Sequence, residues 1–219
     1  MDIQMMIDAL PEYLRAAQIT LLLGVLGIVF SFFVGVINSF IFFFKIPILK
    51  RISAIYVELS RNTPLLIQLF FLYYGLPKLN IVLDKNIVGV IGLTFLGGGY
   101  MSEAIRSGIE EVPKIQLETG KAIGLSRLQL ARYIVYPQGF TRSVSSIGAN
   151  AIFLLKETSI FSAISIMDLT NVTRDLIGMY YLTKEYLLLL VISYAVILLP
   201  LAWIITLIER RMRFATFGH

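Results

Sequence analysis

The chain has 219 residues, of which 57% are hydrophobic and 15% charged, with a formal net charge of +5 and no cysteine. This apolar balance is unlike that of ordinary soluble domains and is typical of an integral membrane protein. The lack of cysteine in the sequence excludes disulfides and thiolate chemistry, and in a membrane protein the excess of bases indicates cytoplasmic loops rather than nucleic-acid binding.

Five apolar stretches approach the roughly 20 residues that a helix needs to cross a bilayer. They are 18–44, 54–77, 87–106, 143–167 and 186–208. Bases are concentrated after the first and fifth stretches and between the third and fourth, and such bases mark the cytoplasmic side. The sequence therefore predicts an all-α integral membrane protein with five transmembrane helices, its N-terminus outside and its C-terminus cytoplasmic. No polar connection is long enough for an independent core, so we expect a single domain over residues 1–219.

Pro64 lies near the start of the second stretch, in the segment RNTPLLIQ. Proline donates no backbone hydrogen bond and restricts the residue before it, so we expect the helix to be kinked or to restart there. A freed backbone carbonyl and Gln68 would then lie within the membrane. The alternative is a cytoplasmic helix start at which the long side chain of Arg61 reaches the interface.

Three consecutive glycines, Gly97 to Gly99, lie in the third stretch. Each weakens a helix by about 1 kcal/mol relative to alanine, which indicates that another group approaches closely. A neighbouring helix is one explanation, since small residues commonly line contacts between membrane helices, and a bound substrate is the other. Glu103 and Arg106 follow at a spacing that allows an ion pair on the helix surface.

A charged connection, about 107–142, separates the third and fourth stretches. Residues 114–123 have helix-forming composition, and Gly124 is a natural helix stop. The sequence S-R-L-Q beginning at Ser126 is a capping-box pattern, so a second helix is expected from there until Pro137 ends it.

This helical hairpin carries apolar side chains close to its turn. They are Leu117, Ile123, Leu125 and Leu128. An apolar tip with a charged collar is suited to enter a groove on another protein. A helix lying on the membrane surface is the alternative.

The fourth stretch is interrupted by four polar residues that would lie near mid-membrane if the whole stretch spans. They are Lys156, Glu157, Thr158 and Ser159. A charge in that position costs on the order of 3 kcal/mol, so such residues usually face a partner or a wet cavity. Adjacent helix residues do not face each other, so Lys156 and Glu157 are expected to have different neighbours. An ion pair between helices or subunits and a ligand site are both compatible with this pattern.

The segment from 118 to 137 resembles the EAA signature of importer-type ABC permeases, which reads E-A-A, three residues, G, nine residues, I-x-L-P. The positions that match in register are Glu118, Gly124, Ile134 and Pro137. The departures are Thr119 and Gly120 for the two alanines and Tyr136 for leucine. Thr119 and Gly120 are still small residues.

Other segments are similar to the polar amino acid permeases, of the histidine and glutamine type. RNTPLLIQL resembles their R-G-T-P-L-L-x-Q-L, and YMSEAIRSGI resembles their Y-x-x-E-x-x-R-x-G-I. LLKETSI is similar to their L-K-D/E-T-S-L, and YPQ to their P-Q-A segment. The resemblance implies the type I ABC importer permease fold in a bacterial inner membrane.

The resemblance to these permeases also implies partners for this chain, because members of the family share one kind of assembly. Two membrane subunits, identical or paired, bind two cytoplasmic ATPase subunits and receive substrate from an external or periplasmic binding protein. No phosphate-loop sequence occurs in the chain, so ATP and magnesium would be bound by the partner ATPase. We therefore expect no enzyme activity, catalytic residue, cofactor or metal in this chain, and no nucleic-acid partner.

The resemblance also implies site residues. Those that would couple to the ATPase are Glu118, Thr119, Gly120, Gly124 and Leu125. Those that would bind an amino acid are Glu157, Asn150, Thr63, Pro64, Gln68, Gly98, Gly99, Thr158 and Ser159. Glu157 would accept the substrate ammonium, and the turns before it hold no second acid, which favours a neutral or polar amino acid.

Two other functions fit parts of the sequence. A proton- or sodium-coupled secondary carrier would use Glu157 as its titrating group and would transport without an ATPase. A membrane scaffold would use the hairpin only to recruit a partner, and it would not explain why polar residues are kept in the fourth stretch.

Overall fold

The computed structural model describes residues 2–217 and the side chains of residues 2–212. Residues 1, 218 and 219, which the single-domain prediction includes, lie outside the described residues. The described part is helical and contains no strand. Its α-helices are α1 (Ile3–Phe44), α2 (Pro47–Asn62), α3 (Leu65–Phe70), α4 (Lys85–Glu110), α5 (Lys114–Ala122), α6 (Arg127–Leu130), α7 (Tyr136–Glu157), α8 (Leu169–Tyr180) and α9 (Thr183–Phe217).

Within the described part, four helical paths are long and apolar enough to cross a membrane. They are Ile3–Phe44, Lys85–Glu110, Arg127–Ile164 and Thr183–Met212. Each overlaps one of the predicted apolar stretches. A further apolar helical path, Leu65–Leu79, is shorter than the four.

The predicted second stretch, 54–77, is not one helix. α2 ends at Asn62, and Thr63 and Pro64 have extended backbone with ψ angles of 132° and 140°. α3 begins immediately afterwards at Leu65. The predicted restart at Pro64 is therefore confirmed.

The prediction that Pro137 ends the hairpin is wrong. Helical structure continues from α6 through a π-helical segment, Ala131–Val135, into α7, and Pro137 lies in the first turn of α7. The amide of Tyr136 donates to the carbonyl of Ala131, five residues back. In a regular α-helix the ring of Pro137 would collide with the carbonyl four residues back, at Tyr133, and a wider turn gives the ring more room.

This continuity changes where the polar interruption of the fourth stretch lies. The helical path begins at Arg127 rather than at residue 143, and it ends at Ile164. Lys156 and Glu157 are therefore in the last third of this helical path, and their predicted depth near mid-membrane stays a prediction. Glu157 is the last residue of α7, and a 3₁₀ segment follows it.

α4 lies at the centre of the packing, against α1, α2 and α7. The side chains that a Cβ would meet are Ser31 and Leu154 at Gly97, Tyr56 and Val34 at Gly98, and Ser60 and Arg61 at Gly99. Three neighbouring helices therefore approach the backbone of α4 at this run. Helix packing, one of the two explanations predicted for the glycines, accounts for all three in the folded chain.

Candidate functional site

The turn of the hairpin between α5 and α6 has the geometry that its sequence predicts. Gly124 adopts φ +85°, a backbone conformation that residues other than glycine rarely adopt. Its amide donates to the carbonyl of Lys121, and the amide of Leu125 donates to the carbonyl of Gly120, both at 3.0 Å. These two bonds form a Schellman motif, which satisfies the last carbonyls of α5.

α6 begins with the predicted capping box. The backbone amide of Gln129 donates to the Ser126 hydroxyl at 3.3 Å, and the Ser126 amide donates to Gln129 Oε1 at 2.8 Å. The backbone groups at both ends of the turn are hydrogen-bonded within the hairpin. The shape of the turn therefore does not depend on hydrogen bonds from a partner.

The two faces of the hairpin differ in what they touch. Gly120 is buried, and a Cβ there would meet Leu130 of α6 and Ile134 of the π-helical segment that follows it. Glu118 and Thr119 are exposed on α5. The tip carries exposed apolar residues, of which Ile123 is 73% and Leu128 65% accessible. Of the five predicted coupling residues, the structure thus exposes Glu118, Thr119 and Gly124, buries Gly120 and half-buries Leu125.

The break between α2 and α3 is closed by the side chain of Gln68. Its amide nitrogen donates to the carbonyl of Ser60 at 3.2 Å, and to the carbonyl and hydroxyl of Thr63 at 3.1 and 2.9 Å. The Ser60 carbonyl is the group that Pro64 leaves without a helical partner, because proline has no amide hydrogen. The predicted free carbonyl is therefore already paired with Gln68.

Gln68 has an acceptor left over. Its Oε1 atom is buried and has no hydrogen-bond partner among the described residues. A buried carbonyl oxygen without a partner is uncommon and needs an explanation, such as a donor supplied by a ligand. Thr63 and Gln68, which were both predicted as site residues, are in contact at the break between α2 and α3.

Asn150 and the glycine run lie beside this break. Asn150 Nδ2 donates to the carbonyl of Tyr100 at 3.2 Å, which joins α7 to α4. Gly99 lies against Ser60 at the end of α2. Asn150, Gly98 and Gly99 thus share one region of the bundle, where the structure uses them for contacts between helices.

Glu157 lies two turns beyond Asn150 on α7. Its side chain is half-buried, and its carboxylate has no hydrogen bond or ion pair with any residue that the structure describes. Lys156 is exposed and is likewise unpaired within the described chain. Thr158 is buried and donates to the Leu155 carbonyl at 2.7 Å, and Ser159 is half-buried. An ion pair between helices of this chain therefore does not explain the two charges.

A charged network on α2 and α4 was only partly predicted. The expected pair is present, with Arg106 Nη2 2.5 Å from Glu103 Oε1. Arg106 also reaches Glu110 at 3.2 Å, and Arg61 Nη1 lies 3.6 Å from Glu103 Oε2. The Cζ atom of Arg61 lies 5.4 Å from the ring centre of Tyr100. Sequence reasoning missed the connection through Arg61, although a base and an acid on apolar helices each require a partner.

Comparisons with known proteins agree with this arrangement. Residues 27–214 match the family described as binding-protein-dependent transport system inner membrane component. The chain is 36% identical over 153 residues to a probable glutamine ABC transporter permease protein of Bacillus subtilis, with 70% of each chain covered. It is 33% identical over 171 residues to a probable amino-acid permease protein of the same organism, with 77% of this chain and 76% of the relative covered. The crystal structure of an amino acid ABC transporter with histidines superposes with a TM-score of 0.90 at 28% identity, over 96% of this chain and 99% of that chain.

Proposed function

The chain belongs to the family of binding-protein-dependent transport system inner membrane components, and from this membership we propose that it is the permease subunit of an ATP-driven importer of polar amino acids. Its relatives are named as amino-acid and glutamine permeases, which supports this substrate class. A bacterial inner membrane is the proposed location.

The exposed hairpin is the observation that carries the proposal. Glu118 and Thr119 face outward beside a turn that Gly124 fixes, and no residue that the structure describes covers the apolar tip residues Ile123 and Leu128. A rigid knob of this kind fits a cleft on a cytoplasmic ATPase subunit. ATP and magnesium would bind to that subunit, and this chain would receive the resulting movement.

The proposed topology has five crossings, with α2 and α3 together forming the crossing that is broken at Pro64. α2 buries Ser53 and Ser60 against its neighbours and exposes Ile48 and Ile55. Small polar residues inside and large apolar residues outside are the pattern of a helix that faces lipid or another membrane subunit. A second permease subunit, a copy or a relative, completes the proposed assembly.

The proposed substrate site lies between the end of α7 and the α2–α3 break. The free carboxylate of Glu157 would accept the α-ammonium of the amino acid, and Gln68 Oε1 would accept a further hydrogen bond. Thr63, Asn150 and the backbone at Gly98 are candidates for contacts once the helices move apart. The absence of a second acid beside Glu157 in its helix favours a neutral or polar substrate.

The proposed mechanism is alternating access. Closure of the ATPase dimer on ATP would pull the two hairpins, and each hairpin is covalently continuous with α7 through the π-helical segment Ala131–Val135. Movement of α7 would carry Asn150 and Glu157 with it and change the side from which the site is open. Such a rigid-body transition between two states is a common form of switching.

The test is uptake of labelled amino acid by vesicles that contain the permease and binding protein, with and without the ATPase subunit. The proposal expects uptake only with the ATPase and ATP. A proton- or sodium-coupled carrier would take up substrate without the ATPase and would stop when ionophores collapse the ion gradient. Uptake of that kind would refute the importer proposal.

A further inference from the structure

A cavity of about 430 Å³ lies at the base of the hairpin, where α1 and α4 end. Its walls come from the last turns of α1 and α4, the start of α2, and the inner sides of α5 and α6. Leu117 and Lys121, one turn apart on α5, both face it. Thr119 and Ile123 line a different groove, so this cavity is separate from the exposed side of the hairpin that carries the proposed ATPase contact.

The charge of the cavity is strongly positive. Its lining contains five bases and one acid, which are Lys45, Lys50, Arg106, Lys121, Arg127 and Glu110. Arg106 is paired with Glu103 and Glu110. The other four bases have no ion-pair partner among the residues that the structure describes. Cations gathered in one cavity repel each other, and an anion would relieve that repulsion.

Apart from Ser39, the rest of the lining is apolar and continues the membrane-spanning helices. Phe42 and Phe43 lie in the last turn of α1, and Ile109, Leu117 and Leu130 complete the apolar part. A free phosphate would use only the bases, and an acidic protein surface would not fill an aromatic wall inside the bundle. A phospholipid uses both parts, because its headgroup is anionic and its glycerol and acyl carbons are apolar.

We propose that this cavity binds the phosphate headgroup of an anionic phospholipid. The phosphate would lie against Lys45, Lys50 and Arg127, with the glycerol and upper chain against Phe42 and Phe43. The backbone of Lys45 is held in place, because it caps α1 in the left-handed conformation with φ 54°. The assignment to the cytoplasmic leaflet rests on the proposed orientation, but binding itself depends on neither orientation nor transport.

The test is lipid binding to the purified full-length chain in detergent, measured by native mass spectrometry. Phosphatidylglycerol, phosphatidylcholine and inorganic phosphate are the three probes. The variant Lys45→Gln/Lys50→Gln removes two cavity charges, and Lys78→Gln/Lys184→Gln removes two exposed charges that lie outside the cavity. Each basic group near an anionic headgroup contributes about fivefold to binding, so the first pair should weaken phosphatidylglycerol binding by about 25-fold.

The expected result is that parent and control bind phosphatidylglycerol alike and more tightly than phosphatidylcholine, whereas the cavity variant loses that preference. Arg127→Gln serves as a second cavity variant and should weaken binding in the same direction. Equal losses in the cavity and control variants would show adsorption on net charge and would overturn the proposal. Equal binding of both lipids would overturn it too, and inorganic phosphate that binds as tightly as phosphatidylglycerol would make this a site for a soluble anion.

Discussion

Asp168 is a fully buried carboxyl at the start of α8, outside the membrane-spanning segments. Its two oxygens accept the amides of Thr170 and Asn171, at 3.2 and 3.0 Å, and so cap the helix. Burial raises its pKa from 3.8 to about 6, and the hydrogen bonds from Asn171 and Thr170 only partly offset that rise. The folded protein therefore binds a proton at Asp168 in a pH range where the unfolded chain does not.

The stability that this proton provides should fall as the pH rises. It is fully present below pH 3.8 and is lost as the pH passes about 6. Between pH 4.5 and pH 7 the loss should be about 2 kcal/mol in the free energy of unfolding. Thermal unfolding of the parent and Asp168→Asn in detergent measures it, because asparagine keeps an acceptor for the cap but does not titrate. The parent should lose stability relative to Asp168→Asn over this range.

Asp84 provides the matched control for this measurement. It also caps a helix, accepting from the amide of Asn86 at 2.8 Å, but it is exposed. Asp84→Asn measures what the exchange of an exposed capping carboxylate for an amide does to unfolding over the same pH range. If the difference between the parent and Asp168→Asn stays constant from pH 4.5 to pH 7, Asp168 does not hold the proton described above.

At the scale of secondary-structure elements, the turn of the hairpin requires glycine at position 124 because of its backbone conformation, and not because a side chain there would collide with a neighbour. A Cβ on Gly124 would meet nothing within 4 Å, but φ +85° strains any residue with a side chain. Gly124→Ala should therefore cost about 1 to 2 kcal/mol locally and speed amide exchange in residues 114–130. Gly178 is equally open and lies within α8, where its φ carries no such strain, so Gly178→Ala should leave exchange in the hairpin unchanged. Slow exchange in both variants would mean that the turn does not need glycine.

The elements that could be predicted are those specified by neighbouring residues. Gly124 and the capping box at Ser126 define the hairpin turn, and Pro64 interrupts the second stretch, all through local backbone chemistry. The continuation through Pro137 could not be predicted, because a wide turn solves the proline clash without ending the helix. Phe71–Gly75 is a second such turn and also ends two residues before a proline.

Parts of the candidate site depend on contacts that are distant in the sequence. Ser60 lies four residues before Pro64, so the sequence alone indicates that its carbonyl lacks a helical partner. Its pairing with Gln68 is therefore consistent with the sequence. The link from Arg61 to Glu103 could not be predicted, because it joins α2 to α4 across the bundle. The packing of Gly99 against Ser60 also joins α4 to α2 across the bundle. From the sequence alone, helix packing and a substrate contact both remained explanations of this glycine.

At the scale of the whole molecule, one helical path links the proposed coupling knob to the proposed substrate acceptor. The part of that path from Arg127 to Glu157 is about 45 Å long at 1.5 Å per residue. Sites so far apart, with no shared partners, should respond independently to mutation in assembly and in binding. They should depend on each other only in transport, which requires both.

Two variants should therefore fail in different ways. Gly124→Trp should abolish copurification of the ATPase subunit, because the bulky ring occupies the docking surface, while the amino acid still binds to the permease. Glu157→Gln should keep the ATPase but weaken substrate binding about ten- to hundredfold, the effect of losing a charge-assisted hydrogen bond. Gly178→Trp and Lys156→Gln, at an open glycine and an exposed neighbour, should keep both properties. Pull-down and isothermal titration on all four variants measure the two properties separately, and loss of both in either test variant would show that the two ends are not independent sites.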